Sequence, residues 1–138
     1  MNIIYKKVFL GGTCNGSTWR DELIPMLKIE YFNPVVPEWD YKAQIREEKE
    51  KEISYYRLYV ITPKMKGVYS IAELIDDSNK VPKRTLFSFL DYGDDGVFSE
   101  SETKSNMAVA RLAKSNGAKF FKSLEEIAHY LNANDNFY

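Results

Sequence analysis

The chain has 138 residues, of which 44% are hydrophobic and 28% are charged, as expected for one globular domain with a hydrophobic core. Its 19 basic and 20 acidic residues give a net charge of -1, which indicates neither a nucleic acid polymer nor an anionic membrane as a partner. No apolar run is long enough to span a membrane. The first residues lack a signal-peptide layout and Cys14 is the only cysteine, so we expect a cytoplasmic protein.

Short apolar runs alternate with longer helical segments along the chain. The first run, residues 7–12, predicts a buried strand that ends in glycines. A helix is predicted over residues 17–28, with Ser17 as a candidate N-cap and Pro25 expected to kink or shorten it. The remaining strands are predicted at residues 30–33, 55–62, 83–90 and 118–121, and the remaining helices at 42–53, 69–80, 100–116 and from 123 to about 132.

Five strands that alternate with helices predict an α/β fold with a doubly wound parallel sheet. Right-handed crossovers favour the strand order 2-1-3-4-5 within a single domain, residues 1–138. In such a sheet, ligands bind beyond the carboxyl ends of the strands where the order reverses. Here that point lies between strands 1 and 3.

The loop that follows strand 1 contains Gly11, Gly12 and Thr13. Small residues let the backbone approach a ligand, and the following helix N-terminus favours an anion. The loop matches neither the dinucleotide fingerprint nor the Walker pattern. A plain tight turn remains the alternative to ligand contact.

Cys14 and Arg20 have the Cys-x5-Arg spacing of cysteine phosphatases, in which the thiolate attacks a bound phosphate. Asp21 follows Arg20, where that resemblance calls for Ser or Thr, and an acid there would oppose a dianion. The other interpretation of Cys14 is a small residue in the loop.

The loop after strand 2 places Trp39 beside Glu38 and Asp40. Tryptophan can cover an apolar ligand face, and aspartate can accept hydrogen bonds from hydroxyl groups. Alternatively, Trp39 packs under the loop and Asp40 caps the next helix.

Glu73 is the strongest catalytic candidate because it lies in the first turns of the helix after strand 3. Gly67 and Ser70 precede it at the same edge of the sheet. A carboxylate in this place can attack a sugar carbon or hold a sugar hydroxyl. Asp76 and Asp77 are expected on a solvated helix face. The acidic loop 91–96 is expected to be mobile and able to cover the site.

An ordered set of segments resembles the nucleoside 2-deoxyribosyltransferase-like family over roughly the first 80 residues. These segments are residues 8–13, Trp19-Arg20, Phe32-Asn33-Pro34, Pro37-Glu38-Trp39 and residues 70–74. The resemblance implies a flavodoxin-like fold. It also implies cleavage of the N-glycosidic bond of a nucleoside or nucleotide, by transfer of deoxyribose to another base or to water.

The resemblance also assigns roles to residues of this chain. It implies that Glu73 is the nucleophile and that Asp40 orients the sugar or protonates the departing base. Gly11, Gly12, Thr13, Trp39, Gly67 and Ser70 are the expected substrate-binding residues. Family enzymes are oligomers whose pockets borrow residues from a neighbour, and Asn106 and Tyr138 are candidates for that role. No metal or other cofactor is expected.

Two positions depart from well-studied transferases. These carry an aspartate at the end of strand 3, where this chain has Ile61-Thr62-Pro63, and a tyrosine in strand 1, where it has Phe9. Arg20 and Lys66 are candidate ligands for a 5′-phosphate, so nucleosides and nucleoside monophosphates both remain open as substrates. A non-catalytic nucleotide-binding or regulatory module and a Cys14 phosphatase remain the alternative functions.

Overall fold

The computed structural model describes residues 3–133 and contains a five-stranded parallel sheet. The strands are β1 (Tyr5–Gly12), β2 (Glu30–Phe32), β3 (Ser54–Ile61), β4 (Thr85–Phe89) and β5 (Lys119–Phe120). Their order is β2-β1-β3-β4-β5, which confirms the predicted order. Helices cover both faces of the sheet, so the fold is of the flavodoxin-like α/β class.

The helices are α1 (Trp19–Leu23), α2 (Tyr41–Ile53), α3 (Tyr69–Lys80), α4 (Glu100–Asn116) and α5 (Leu124–Ala133). The first helix is shorter than predicted: it begins after Thr18 and continues as a 3-10 turn, Ile24–Met26, that contains Pro25. Ser17 does not cap this helix, because its hydroxyl donates a hydrogen bond to Asp95.

Alternating side chains of β3 enter two separate cores. Tyr56, Leu58 and Val60 pack in a core with α1 and α5, and neighbouring Tyr59 packs in a second core with α3 and α4. This two-sided burial explains why β3 reads as a nearly continuous apolar run in the sequence. Within residues 3–133, no helix combines the length and apolar character needed to cross a bilayer.

The ends of β1 and β3 are tied together where the direction of the crossovers reverses. The backbone N–H of Thr13 donates to the carbonyl of Val60 at 2.9 Å, and the N–H of Thr62 donates to Oγ1 of Thr13 at 2.9 Å. Gly12 has φ +111°, and a Cβ atom there would lie 2.1 Å from the Val60 carbonyl oxygen. Glycine is therefore required at the closest approach of the two strands.

Candidate active site

A two-lobed cavity lies at this edge of the sheet, between α2 and α3. The first lobe, of about 360 Å³, is the glycine lobe, and the second, of about 380 Å³, is the helix lobe. Both volumes are in the range of small-molecule sites. Trp39, Glu47, Tyr69 and Glu73 line both lobes. The glycine lobe is further lined by Gly11, Gly12, Cys14, Arg20, Pro34, Val35, Val36 and Ser70, and the helix lobe by Gln44, Glu48 and Lys51.

Glu73 lies in the wall that the two lobes share, and its side chain is only 16% exposed. Nζ of Lys51 donates a hydrogen bond to Oε2 of Glu73 at 3.1 Å, which joins α2 to α3. Trp39 and Tyr69 also line both lobes. Trp39 is 61% exposed and Tyr69 is 74% exposed. The cavity therefore combines a held carboxylate with aromatic surfaces that are free to contact a ligand.

The environment of Glu73 raises its pKa. The largest cause of this shift is burial, which disfavours the charged form of the carboxyl group. The charge and hydrogen bond of Lys51 oppose this shift, while the negative charges of Glu47 and Asp77 add to it. A carboxylate with a raised pKa is more basic, yet the Lys51 contact favours its ionised form.

Asp77 is buried, so the prediction that it lies on a solvated face is wrong. Its side chain accepts hydrogen bonds from Nη1 of Arg57 at 2.8 Å and from the hydroxyl of Tyr59, and Nζ of Lys51 lies 3.2 Å away. Burial and the charge of Asp77 raise the pKa of Tyr59, which stays a neutral donor. Asp76, by contrast, is exposed and pairs with Lys80, as the prediction for that residue requires. Successive residues of a helix point in different directions, so Asp76 faces solvent and Asp77 faces the protein interior.

Arg20 is buried, and its side chain binds the backbone at the end of β1. Its nitrogens donate to the carbonyl oxygens of Leu10 at 3.0 Å, Thr13 at 2.7 Å and Gly12 at 3.3 Å. Burial lowers the pKa of this guanidinium. Three of its N–H groups are thus bound to backbone carbonyls, which leaves fewer of them for a phosphate, whether in a phosphatase or in a 5′-phosphate site. Lys66 is exposed and lies outside the lining of the cavity.

The acidic loop after β4 is anchored to the ends of β1 and β3. Oδ2 of Asp95 accepts hydrogen bonds from Ser17 at 2.5 Å and from Thr62 at 2.7 Å, and Nζ of Lys64 lies 3.7 Å from its Oδ1. The Asp95 side chain is almost fully buried. The loop lines neither lobe, so in this structure it supports the site and does not cover it.

The structure brings Glu73, Trp39, Gly11, Gly12 and Ser70 together, as the sequence analysis expects of one site. Four other predicted residues do not line the two lobes: Asp40, Thr13, Gly67 and Asn106. Asp40 caps α2 by accepting from the N–H of Ala43 at 2.8 Å, and Thr13 is buried between the strand ends.

Asn106 lines a separate cavity of about 200 Å³ near the start of α4, together with Phe89, Phe98 and Phe120. Gly67 is exposed and has open space where a side chain would project. Tyr138 lies outside the described residues.

Glu47, Lys51 and Tyr69 are among the side chains of the cavity that were not predicted from the sequence. Glu47 and Lys51 are four residues apart and therefore project from the same face of α2. That spacing was the available signal. It was hidden because α2 is charged all round and buries no residue completely.

A flavodoxin-like α/β protein with a carboxylate and two aromatic residues at the switch point of its sheet belongs to a broad class of small-ligand proteins. A sequence profile described as nucleoside 2-deoxyribosyltransferase-like matches residues 5–78, slightly more than half of the chain. The chain therefore belongs to the nucleoside 2-deoxyribosyltransferase-like family. No match was found among curated proteins. The matched region contains β1, β2, β3 and all residues that line the two-lobed cavity.

Proposed function

We propose that this protein cleaves the N-glycosidic bond of a (deoxy)nucleoside or nucleotide and passes the deoxyribosyl group to another base or to water. Glu73 is the nucleophile in this proposal. The observation that carries it is the place of Glu73 in the wall shared by both lobes, within the region that matches the family. A substrate that reaches across this wall has a base in one lobe and the rest of the molecule in the other.

The chemistry follows from the contacts of Glu73. One carboxylate oxygen accepts from Lys51, which leaves the other oxygen for the anomeric carbon of the sugar. As the bond from C1′ to the base nitrogen breaks, positive charge develops on the sugar, and a carboxylate stabilises or captures it. Water or a second base then attacks C1′ and releases Glu73.

The aromatic side chains supply the binding surface. Trp39 and Tyr69 are exposed at the shared wall, and each can stack on a base or cover the apolar face of a sugar. Gly11 and Gly12 also line the glycine lobe. A planar base that stacks on one of these rings is the ligand that we propose for this lobe.

The test is incubation of the purified protein with deoxynucleosides and deoxynucleoside monophosphates, with and without a second free base, followed by chromatography of the products. A new nucleoside indicates transfer, and free base alone indicates hydrolysis. Glu73→Gln is expected to lower turnover by at least about 10³-fold, as expected for loss of a nucleophile. Asp76→Asn, on the exposed side of the same helix, is the matched control.

Two other outcomes would replace this proposal. Absence of product with every substrate, combined with ligand binding that Glu73→Gln alters, would indicate a non-catalytic nucleotide-binding or regulatory module. Phosphate release that disappears in Cys14→Ser and persists in Glu73→Gln would indicate a phosphatase. The cytoplasmic location, the single domain and a homo-oligomer of two or more subunits stay predictions, and sedimentation of the purified protein tests the last of these.

A further inference from the structure

A second carboxylate, Glu47, faces the same cavity as Glu73 from the opposite helix. We propose that Glu47, and not Asp40, donates the proton to the departing base. This inference rests on the proposed function, because it assigns the partner of the Glu73 nucleophile in the same reaction.

Glu47 lies in the middle of α2 and lines both lobes, as Glu73 does from α3. The two carboxylates are close enough for the charge of Glu47 to act on Glu73. Nε1 of Trp39 donates a hydrogen bond to Oε2 of Glu47 at 3.3 Å, so the indole that would stack on a ligand also orients the acid. A group at this place contacts whatever fills either lobe.

Asp40 has a different task in the structure. Its Oδ1 accepts from the N–H of Ala43 at 2.8 Å, which caps the first turn of α2. The Asp40 side chain lines neither lobe. A proton donor must reach the base nitrogen directly or through one water, and Glu47 satisfies this requirement better than a residue outside the lining.

Glu47 and Glu73 differ in the partners of their side chains. Glu73 keeps Lys51 at 3.1 Å, and this cation stabilises its ionised form. Among the described residues, no cation lies within ion-pair distance of Glu47, and its carboxylate accepts a hydrogen bond from the indole of Trp39. Glu47 is therefore free of the ion pair that fixes Glu73, and its carboxyl group is the one that we assign to proton transfer with the base.

The reaction then balances over two steps. In the first, the electron pair of the C1′–N bond leaves with the base, which takes the proton of Glu47, while a Glu73 oxygen bonds to C1′. In the second, water or an acceptor base attacks C1′ and gives its proton to Glu47. The bond between Glu73 and C1′ breaks, and both side chains return to their starting states.

The experiment compares two substrates that share the sugar. One is the deoxynucleoside that the wild type cleaves best. The other is 4-nitrophenyl 2-deoxy-β-ribofuranoside, whose phenolate leaves without being protonated. Glu47→Gln is expected to lower turnover of the deoxynucleoside by about 10²- to 10⁴-fold and that of the nitrophenyl substrate by less than about tenfold.

Two variants control this comparison. Glu52→Gln, at an exposed position of the same helix, is expected to leave both rates unchanged. Asp40→Asn keeps a good helix cap and tests the competing assignment. Activity of Glu47→Gln on the nitrophenyl substrate also shows that this variant folds.

Three results would overturn the inference. Equal loss of both rates in Glu47→Gln would show that it does not act by protonation, and unchanged deoxynucleoside turnover would show that it is not needed. The same selective loss in Asp40→Asn, without it in Glu47→Gln, would return the role to Asp40. In contrast, Glu73→Gln that retains both activities, or a wild type inactive on both substrates, would refute the proposed function on which the inference rests.

Discussion

Nζ of Lys51 lies 3.1 Å from Oε2 of Glu73 and 3.2 Å from Oδ2 of Asp77. One lysine from α2 thus bridges two carboxylates that are one helical turn apart on α3. Because Asp77 is itself fixed by Arg57, the lysine is anchored from the core side of α3. The position of the proposed nucleophile therefore depends on a charge that comes from another helix.

Replacement of Lys51 by Met should move the acidic limb of the pH–rate profile to higher pH. Lys51 lowers the pKa of Glu73, whereas burial and the charges of Glu47 and Asp77 raise it. Loss of the cation therefore raises this pKa further, and Glu73 loses its proton only at higher pH. We therefore expect the acidic limb of kcat/KM to move to higher pH in Lys51→Met.

Lys51→Arg should restore most of the original profile, because it keeps the positive charge. Lys80→Met removes an exposed lysine that pairs with Asp76 on the outer face of α3, and it should leave the profile unchanged. An acidic limb that stays in place in Lys51→Met would show that Glu73 does not control the rate in this pH range.

Asp77→Asn should destabilise the protein by about 3 kcal/mol, because Arg57 would lose its buried counter-charge and Lys51 would keep only Glu73. The free energy of unfolding from urea denaturation measures this effect. Asp76→Asn is the matched control, and the loss of its exposed ion pair should change stability by less than about 1 kcal/mol. Similar effects of the two changes would contradict the structural role given to Asp77.

Gly12→Ala should destabilise the junction of β1 and β3 by about 3 kcal/mol. Its φ of +111° is strained for any residue with a side chain, and its new Cβ would lie 2.1 Å from the backbone oxygen of Val60. Gly67→Ala, at a position with open space and no positive φ, should change stability by less than about 1 kcal/mol. Thermal unfolding of both variants measures these changes in stability. A Gly12→Ala variant as stable as the wild type would contradict the close contact between β1 and β3.

Deoxynucleosides should be better substrates than their 5′-monophosphates by at least about tenfold in kcat/KM. The helix lobe carries Glu47, Glu48 and Glu73 against Lys51, and like charges repel an added phosphate. Arg20, the remaining cation of the lining, is already bound to backbone carbonyls. A higher salt concentration screens this repulsion, so it should reduce the difference in kcat/KM between the deoxynucleosides and their monophosphates. A preference for monophosphates would instead indicate that another cation, with Lys66 the first to be tested, reaches the phosphate.

The sequence was sufficient for the sheet order and for the place of Glu73, because both follow from local patterns. Apolar runs such as β3 predict buried parallel strands, and the rule for strand ends then directs attention to the residues that follow. The helix limits were less accurate at α1, where Pro25 and the hydrogen bond of Ser17 to a distant aspartate shorten the predicted helix.

The remainder of the site depends on contacts between residues far apart in the chain. The spacing of Lys51 from Glu47 puts both on one face of α2, but the role of Lys51 arises from Glu73 on the next helix. The sequence around Asp77 is polar, as it is around exposed helix positions. Only the packing of α3 on Tyr59 buries this residue. Side-chain pairs of this kind cannot be inferred from the periodicity of one segment.

The contact between Thr62 and Asp95 links positions on two different loops. The Thr62 hydroxyl, just after β3, donates to a buried carboxylate that comes from the loop after β4. An aspartate at position 62 would face the one at position 95 with no cation nearer than Lys64. The two positions are therefore coupled: a substitution at either one changes the hydrogen-bond partner of the other, and a redesign of either loop must include both.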